Sequence, residues 1–115
     1  DLASGSYYSG RKPEDGAIDW SLPAADIHNL VRAVAPPWPG AYFDTNGMRL
    51  HILGSHYRGE AALSTTPGLY WQSGALWADC ADGKRFRILS FAIDGETANE
   101  VRFGQLFGQR LDTGA

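Results

Sequence analysis

Scarcity is the first property of these 115 residues: one cysteine, one methionine, two lysines and no long apolar run. A lone Cys80 excludes an intrachain disulfide, so the fold has to be held by packing, and a reducing, cytoplasmic setting is the default expectation. A chain of this length buries about two-thirds of its unfolded surface, enough for a core without metal or disulfide staples. No apolar stretch approaches the roughly 20 residues that cross a bilayer, and the opening residues do not read as a secretory leader, so a soluble domain is expected. Positive charge is also short. Ten Lys and Arg face thirteen Asp and Glu, for a formal net charge of −3. That balance argues against a polyanion held by bulk charge, because such binding rests on clustered cations. Eight of the ten cations are arginines, which suits a few bidentate contacts better than a diffuse field. The chain starts at Asp1 rather than Met, and DLASGSYYSGRKPEDG has the texture of a connecting segment. The expectation is one domain cut from a longer protein.

What is present divides into two patterns. Residues 1–19 show neither a helical nor a strand period and read as linker or arm. After them Ile27, Leu30, Val31 and Val34 repeat at the spacing of one helix face, with Ser21 as the expected N-cap, and predict a helix over about 22–34. His28 and Arg32 fall one turn apart on its flank, and Pro36-Pro37 ends it. Beyond Gly40 the period changes to short alternating runs punctuated by Asn46-Gly47, Pro67-Gly68, Ser73-Gly74, Asp82-Gly83 and Asp94-Gly95. Such dipeptides join antiparallel strands. In RFRILSFAI the apolar phase slips, from Phe86 and Ile88 to Leu89, Phe91 and Ile93, which predicts either a bulge or a strand buried on both faces. The tail from Val101 to Leu111 has mixed spacing and is read as an irregular segment packed on the sheet. The expected fold is mainly β: one N-terminal helix and about five or six strands curled into a small barrel.

Candidate chemistry is thin. His51 and His56 have no metal-ligand spacing, Cys80 has no CxxC partner, and Asp79, Asp82 and Gly83 fit a hairpin turn better than a calcium loop, so no metal is expected. No P-loop, GxGxxG or nucleophile elbow occurs, and Ser, His and Asp show no local triad pattern. Lys84, Arg85 and Arg87 beside Phe86 form a basic cluster that reads either as a phosphate contact or as a solvated face balanced by Asp79 and Asp82. Tyr70, Trp71 and Trp77 supply an aromatic surplus that suits either core packing or a base- or sugar-stacking surface. The most distinctive stretch is RKPEDGAIDW, which sets two cations, a Pro and two acids ahead of the anchoring residues Ile18 and Trp20. The stretch reads equally as an ordinary surface linker or as an arm that projects Arg11 outward to a ligand or a neighbouring domain.

RKPEDGAIDW, IHNLVRAV and PPWPGAY, followed in order by MRLHIL, TPGLYW, GALWADCADGKRFRILSFAIDG and FGQLFGQRL, resemble the C-terminal domain of formyltransferases that use 10-formyltetrahydrofolate. The likeness spans roughly residues 7–111. It implies an open, OB-like Greek-key barrel in residues 20–115. It also implies an arm, residues 1–19, leading from a Rossmann-like N-terminal catalytic domain. That absent domain would hold the 10-formyltetrahydrofolate and the Asn, His and Asp that move protons, leaving this one non-catalytic and free of cofactor. Two branches compete for the acceptor. In one, the family's barrel helps hold methionyl-tRNA. In the other the acceptor is UDP-4-amino-4-deoxy-L-arabinose, and the motif's Arg, here Arg11, reaches toward the sugar nucleotide. HNLVRAVAPPWPGA and the acidic balance favour the amino-sugar branch. A free-standing OB-like module for oligonucleotide or oligosaccharide is the reading from another class, and a purely scaffolding domain is a third.

Overall fold

The computed structural model describes residues 16–36 and 40–113. Its first helix, α1 (Ala24–Ala33), buries Ala24, Ile27 and Val31 along the stripe that the periodicity picks out. Ser21 is not its cap. Pro23 occupies the N-cap and makes no side-chain capping bond, while Ser21 donates through both its backbone N–H and its hydroxyl to Asp19. A fixed φ at Pro23 sets the entry to the helix where a hydroxyl cap would otherwise act.

The strands are β1 (Ala41–Thr45), β2 (Met48–Ala61), β3 (Gly68–Gln72), β4 (Ala75–Asp79), β5 (Lys84–Ile93), β6 (Glu96–Thr97) and β7 (Arg110–Asp112). Asn46 and Gly47 both take positive φ, as a two-residue I′ hairpin turn demands, and join β1 to β2. Ser73-Gly74 does the same for β3 and β4. The sheet runs β1-β2-β5-β4-β3-β7, with β6 appended to β5. Strands β3, β4 and β5 form a meander, and β2 lies beside β5 at its far side, which is a Greek-key order. All strand pairs are antiparallel and β1 and β7 do not pair with each other, so the curled sheet is an open barrel of mainly β class.

The expected slip in β5 is real. Ile52 faces Phe91, Gly54 faces Ser90, and Ser55 faces Ile88, so one extra residue stands first in β2 and then in β5. The reading from sequence groups Leu89 with the buried residues; the bulge instead turns it out, 58% exposed. A further shift between His56 and Glu60 bends the outer half of β2.

The tail is more regular than expected. A second helix, α2 (Glu100–Phe107), is capped by Asn99, whose side chain accepts from the Arg102 N–H at 3.0 Å, and it leads into β7. Two aromatic groups anchor the ends of the core. Trp20 packs edge-on against Phe43 with ring centroids 5.2 Å apart and lies parallel to Phe86, while Phe103 of α2 meets Trp71, Phe91 and Phe107. Between them Leu50, Ile52, Leu69, Leu76 and Ile88 fill the inner face of the sheet.

Candidate functional site

The arm enters the body by backbone pairing. Ala17 bridges Tyr42 of β1 in parallel, and the Ile18 N–H donates to the Tyr42 carbonyl at 2.8 Å. Immediately before them, Gly16 crosses Gly40 so closely that a Cβ on Gly16 would stand 2.6 Å from the Gly40 carbonyl oxygen. No L side chain fits there, because the clash is with backbone that has nowhere to move. The last residues of PEDG and PPWPG are therefore one structural joint, with Trp20 buried just downstream. Arg11 lies outside the described residues, as do Trp38 and Pro39.

The outer face of the sheet carries the richest polar constellation. Residues opposite one another on neighbouring strands share a face, so the register sets Arg110, Tyr70, Trp77, Arg87 and His56 in one row. A second row runs Asp112, Gly68, Asp79, Arg85 and Glu60. Asp79 is fully buried and accepts from four donors: the Leu63 and Ser64 N–H groups, the Tyr70 hydroxyl at 2.8 Å and Arg110 at 3.1 Å. Arg110 also donates to the Thr66 carbonyl at 2.7 Å and to Asp112. Its guanidinium lies directly across Gly68, where a Cβ would approach to 2.8 Å, so a larger residue at this position would push the guanidinium aside. The result staples the loop of residues 62–67 to β7.

Arg85 stacks on Trp77, with its guanidinium carbon 3.8 Å from the ring centre. It donates to the Tyr70 hydroxyl and to Gln72, and sits 3.6 Å from Glu60. Burial, with Asp79 adding to it, pushes the Tyr70 phenol above its ordinary value. The phenol therefore stays protonated and serves as a donor to Asp79. The solvated-face reading of the basic cluster needs correction in one respect. Asp79 does not balance Lys84, Arg85 and Arg87 from the surface; it is committed inside to Arg110, and Glu60 is the partner of Arg85. Asp82 keeps its predicted turn role, accepting from the Lys84 N–H. Tyr70 and Trp77 belong to the outer row, whereas Trp71 packs inward.

The remaining candidates do not converge. Among the described residues no group of three or more His, Cys, Asp or Glu is placed to hold a metal ion. Cys80 is buried and its thiol is pushed up to about 12 by burial and by Asp82 and Asp79, so it is no nucleophile at neutral pH. Ser55 and His28 do meet, with Oγ and Nδ1 2.6 Å apart. Burial, Arg32 and His56 all depress the His28 imidazole. A general base that must carry positive charge in the transition state is ill served by the Arg32 guanidinium, and among the described residues no carboxylate hydrogen-bonds the His28 ring as the orienting acid of a nucleophilic triad would.

With that geometry in place, comparison of the sequence with protein-family models matches one family, the formyl transferase C-terminal domain, over residues 11–107. The chain belongs to that family. The formyl transferase match begins at Arg11, on the arm, and ends at Phe107, the last residue of α2. It thus takes in the Gly16–Gly40 joint and Asp79, but stops short of Arg110 and β7, which complete the charge network. Reading the sequence alone missed Arg110 as the partner of Asp79, for the two are 31 positions apart with no local motif between them. It also missed the pairing of His28 with Ser55. His28 was legible on the helix flank, whereas Ser55 falls in a bulged stretch where alternation gives no guide.

Proposed function

We propose that this chain is the C-terminal accessory domain of a 10-formyltetrahydrofolate-dependent N-formyltransferase whose acceptor is an amino-sugar nucleotide. The family match carries the reading. Residues 1–19 form the connection to an N-terminal Rossmann-like domain, which holds the folate cofactor and does the proton transfer in the cytoplasm. Arg11 is the substrate contact: a guanidinium on an anchored arm pairs with a phosphate or orients the amine-bearing sugar, supplying position rather than chemistry. The Gly16–Gly40 joint supports this role, since it packs the backbone that follows the arm closely against the start of the barrel.

The choice of a small acceptor over tRNA rests on charge. The net charge is −3, and Arg49, Arg85 and Arg110 already contact Asp44, Glu60, Asp79 and Asp112. Three of the eight arginines are thus held in ion pairs within the fold, which reduces the positive charge left for a long polyanion. The test is to assay the protein that contains this domain with 10-formyltetrahydrofolate and either UDP-4-amino-4-deoxy-L-arabinose or methionyl-tRNA. The amino sugar should be formylated with the higher kcat/KM; preference for the tRNA overturns the acceptor assignment. In the same protein Arg11→Ala should lower kcat/KM about tenfold or more, the loss of a charge-assisted hydrogen bond, and leave the thermal midpoint unchanged.

A further inference from the structure

We propose that the cavity between α2, the end of β3 and the loop of residues 62–67 is a binding site for a compact organic cation, a primary ammonium group carried on a saturated ring. Such a site is independent of the acceptor assignment and of Arg11. The cavity holds about 530 Å³, inside the roughly 300–1,000 Å³ range of small-molecule sites. Its position follows from where a strand pairing stops. β7 pairs with β3 only as far as Arg110 opposite Tyr70, so the next residue, Trp71, borders the opening at the edge of the sheet. Phe91 and Phe103, both buried, contact the indole from the core. On the helical wall Glu100, Gly104 and Gly108 line the cavity; they recur every fourth residue along α2 and its C-cap and so share one face. Leu63 also lines it, 61% exposed although apolar, on a loop tied down by the Leu63 N–H bond to Asp79.

Two observations set the chemistry of the ligand. The first is charge. Arg110 lines the cavity too, but its guanidinium is committed on every side, donating from Nε to Asp112 and from its two terminal nitrogens to Asp79 and the Thr66 carbonyl. The Tyr70 hydroxyl is likewise given to Asp79. Glu100 makes no ion pair among the described residues, so the charge that the cavity leaves unmatched is negative. An anion would meet that carboxylate with no free cation to offset it. An ammonium group would donate a charge-assisted hydrogen bond to it and gain a cation–π contact with Trp71. The second observation is Gly104. A glycine inside a helix costs about 1 kcal/mol relative to alanine, yet a Cβ here would meet nothing within 4 Å. Gly108 has a backbone reason, its φ of +72° at the helix end, whereas Gly104 has none within the fold. Its missing side chain leaves the α2 wall of the cavity bare and the volume free for a ring.

The experiment adds cyclohexylamine hydrochloride, and separately the neutral isostere cyclohexanol, to the isotope-labelled 115-residue chain at neutral pH and constant ionic strength, read by NMR. The Trp71 indole N–H and the Gly104 and Gly108 amides should shift together and saturate with the amine. The alcohol should bind about tenfold more weakly or worse, the worth of a charge-assisted hydrogen bond. Glu100→Gln should cost the amine about the same factor and leave the alcohol unaffected, while Glu96→Gln, at an exposed acid on β6, changes neither. Gly104→Leu puts a side chain into the cavity and should abolish binding of both, with Gly104→Ala as the milder variant; a urea midpoint no lower than that of the parent chain shows in each that the fold is intact. Equal affinity for amine and alcohol overturns the cation assignment, and the absence of saturable shifts overturns the site. So do the same shifts on raising the protein concentration without ligand, since a second copy would then be the occupant.

Discussion

Asp79 shows how far a single residue can be from its apparent role. In the sequence it belongs to a turn-rich stretch, DCADG, and in the fold it is the buried acceptor for four donors from three parts of the chain. Its partner Arg110 is partly exposed, so the ion pair itself is screened and contributes modestly. The larger consequence of losing the carboxylate is that two backbone N–H groups and a buried hydroxyl lose their acceptor together. Asp79→Ala should therefore lower unfolding free energy by about 3 kcal/mol. Urea denaturation of the purified variant measures this, with Asp44→Ala as the comparison that leaves the midpoint in place, because the Asp44–Arg49 pair is exposed to solvent. No reading of local pattern finds the 79–110 contact, since nothing near either residue specifies a partner so far along the chain.

At the level of elements, the turns were legible and the second helix was not. Asn46-Gly47 and Ser73-Gly74 state their own conformation, because only certain residues accept positive φ at both central positions. The helix α2 hides its period. Phe103 is buried, but Val101 is 68% exposed and Gly104 interrupts the interior, so only the Asn99 cap signals a start. Gly104 has no steric reason to be a glycine, for a Cβ there meets nothing within 4 Å. Gly104→Ala should stabilise the domain by about 0.5–1 kcal/mol, read as a rise in urea midpoint with unchanged slope. The contact of α1 with β2 makes a different prediction. His28 and His51 titrate below the ordinary imidazole value of 6.5, both chiefly through burial. A depressed folded-state value means the unfolded chain binds the extra protons. Stability is then fully present above pH 6.5 and falls as pH drops through and below it toward the folded values. His28→Gln should flatten this slope in urea melts between pH 7 and 5, roughly the window in which an ordinary imidazole gains its proton.

On the scale of the whole molecule, the mainly β, open-barrel architecture followed from strand length, turn chemistry and one amphipathic helix, and the structure adds the Greek-key order that these could not specify alone. The acidic balance acquires a spatial meaning. On the outer sheet face Arg85 and Arg110 are matched by Glu60, Asp79 and Asp112, whereas Arg87 of the same face makes no ion pair among the described residues. The sequence total conceals that arrangement, because position along the chain does not record which cations have partners.

An open barrel has two free margins, and the margin at β1 is covered by the arm's own backbone, with Ala17 beside Tyr42 and Ile18 donating to its carbonyl. A bare strand margin of hydrogen-bonding groups recruits strands from other molecules. The short stretch before Trp20 thus occupies hydrogen-bonding groups of β1 that another chain could otherwise pair with. A chain beginning at Asp19 should retain its core yet self-associate with rising concentration, and sedimentation velocity of the shortened and 115-residue chains would show the difference.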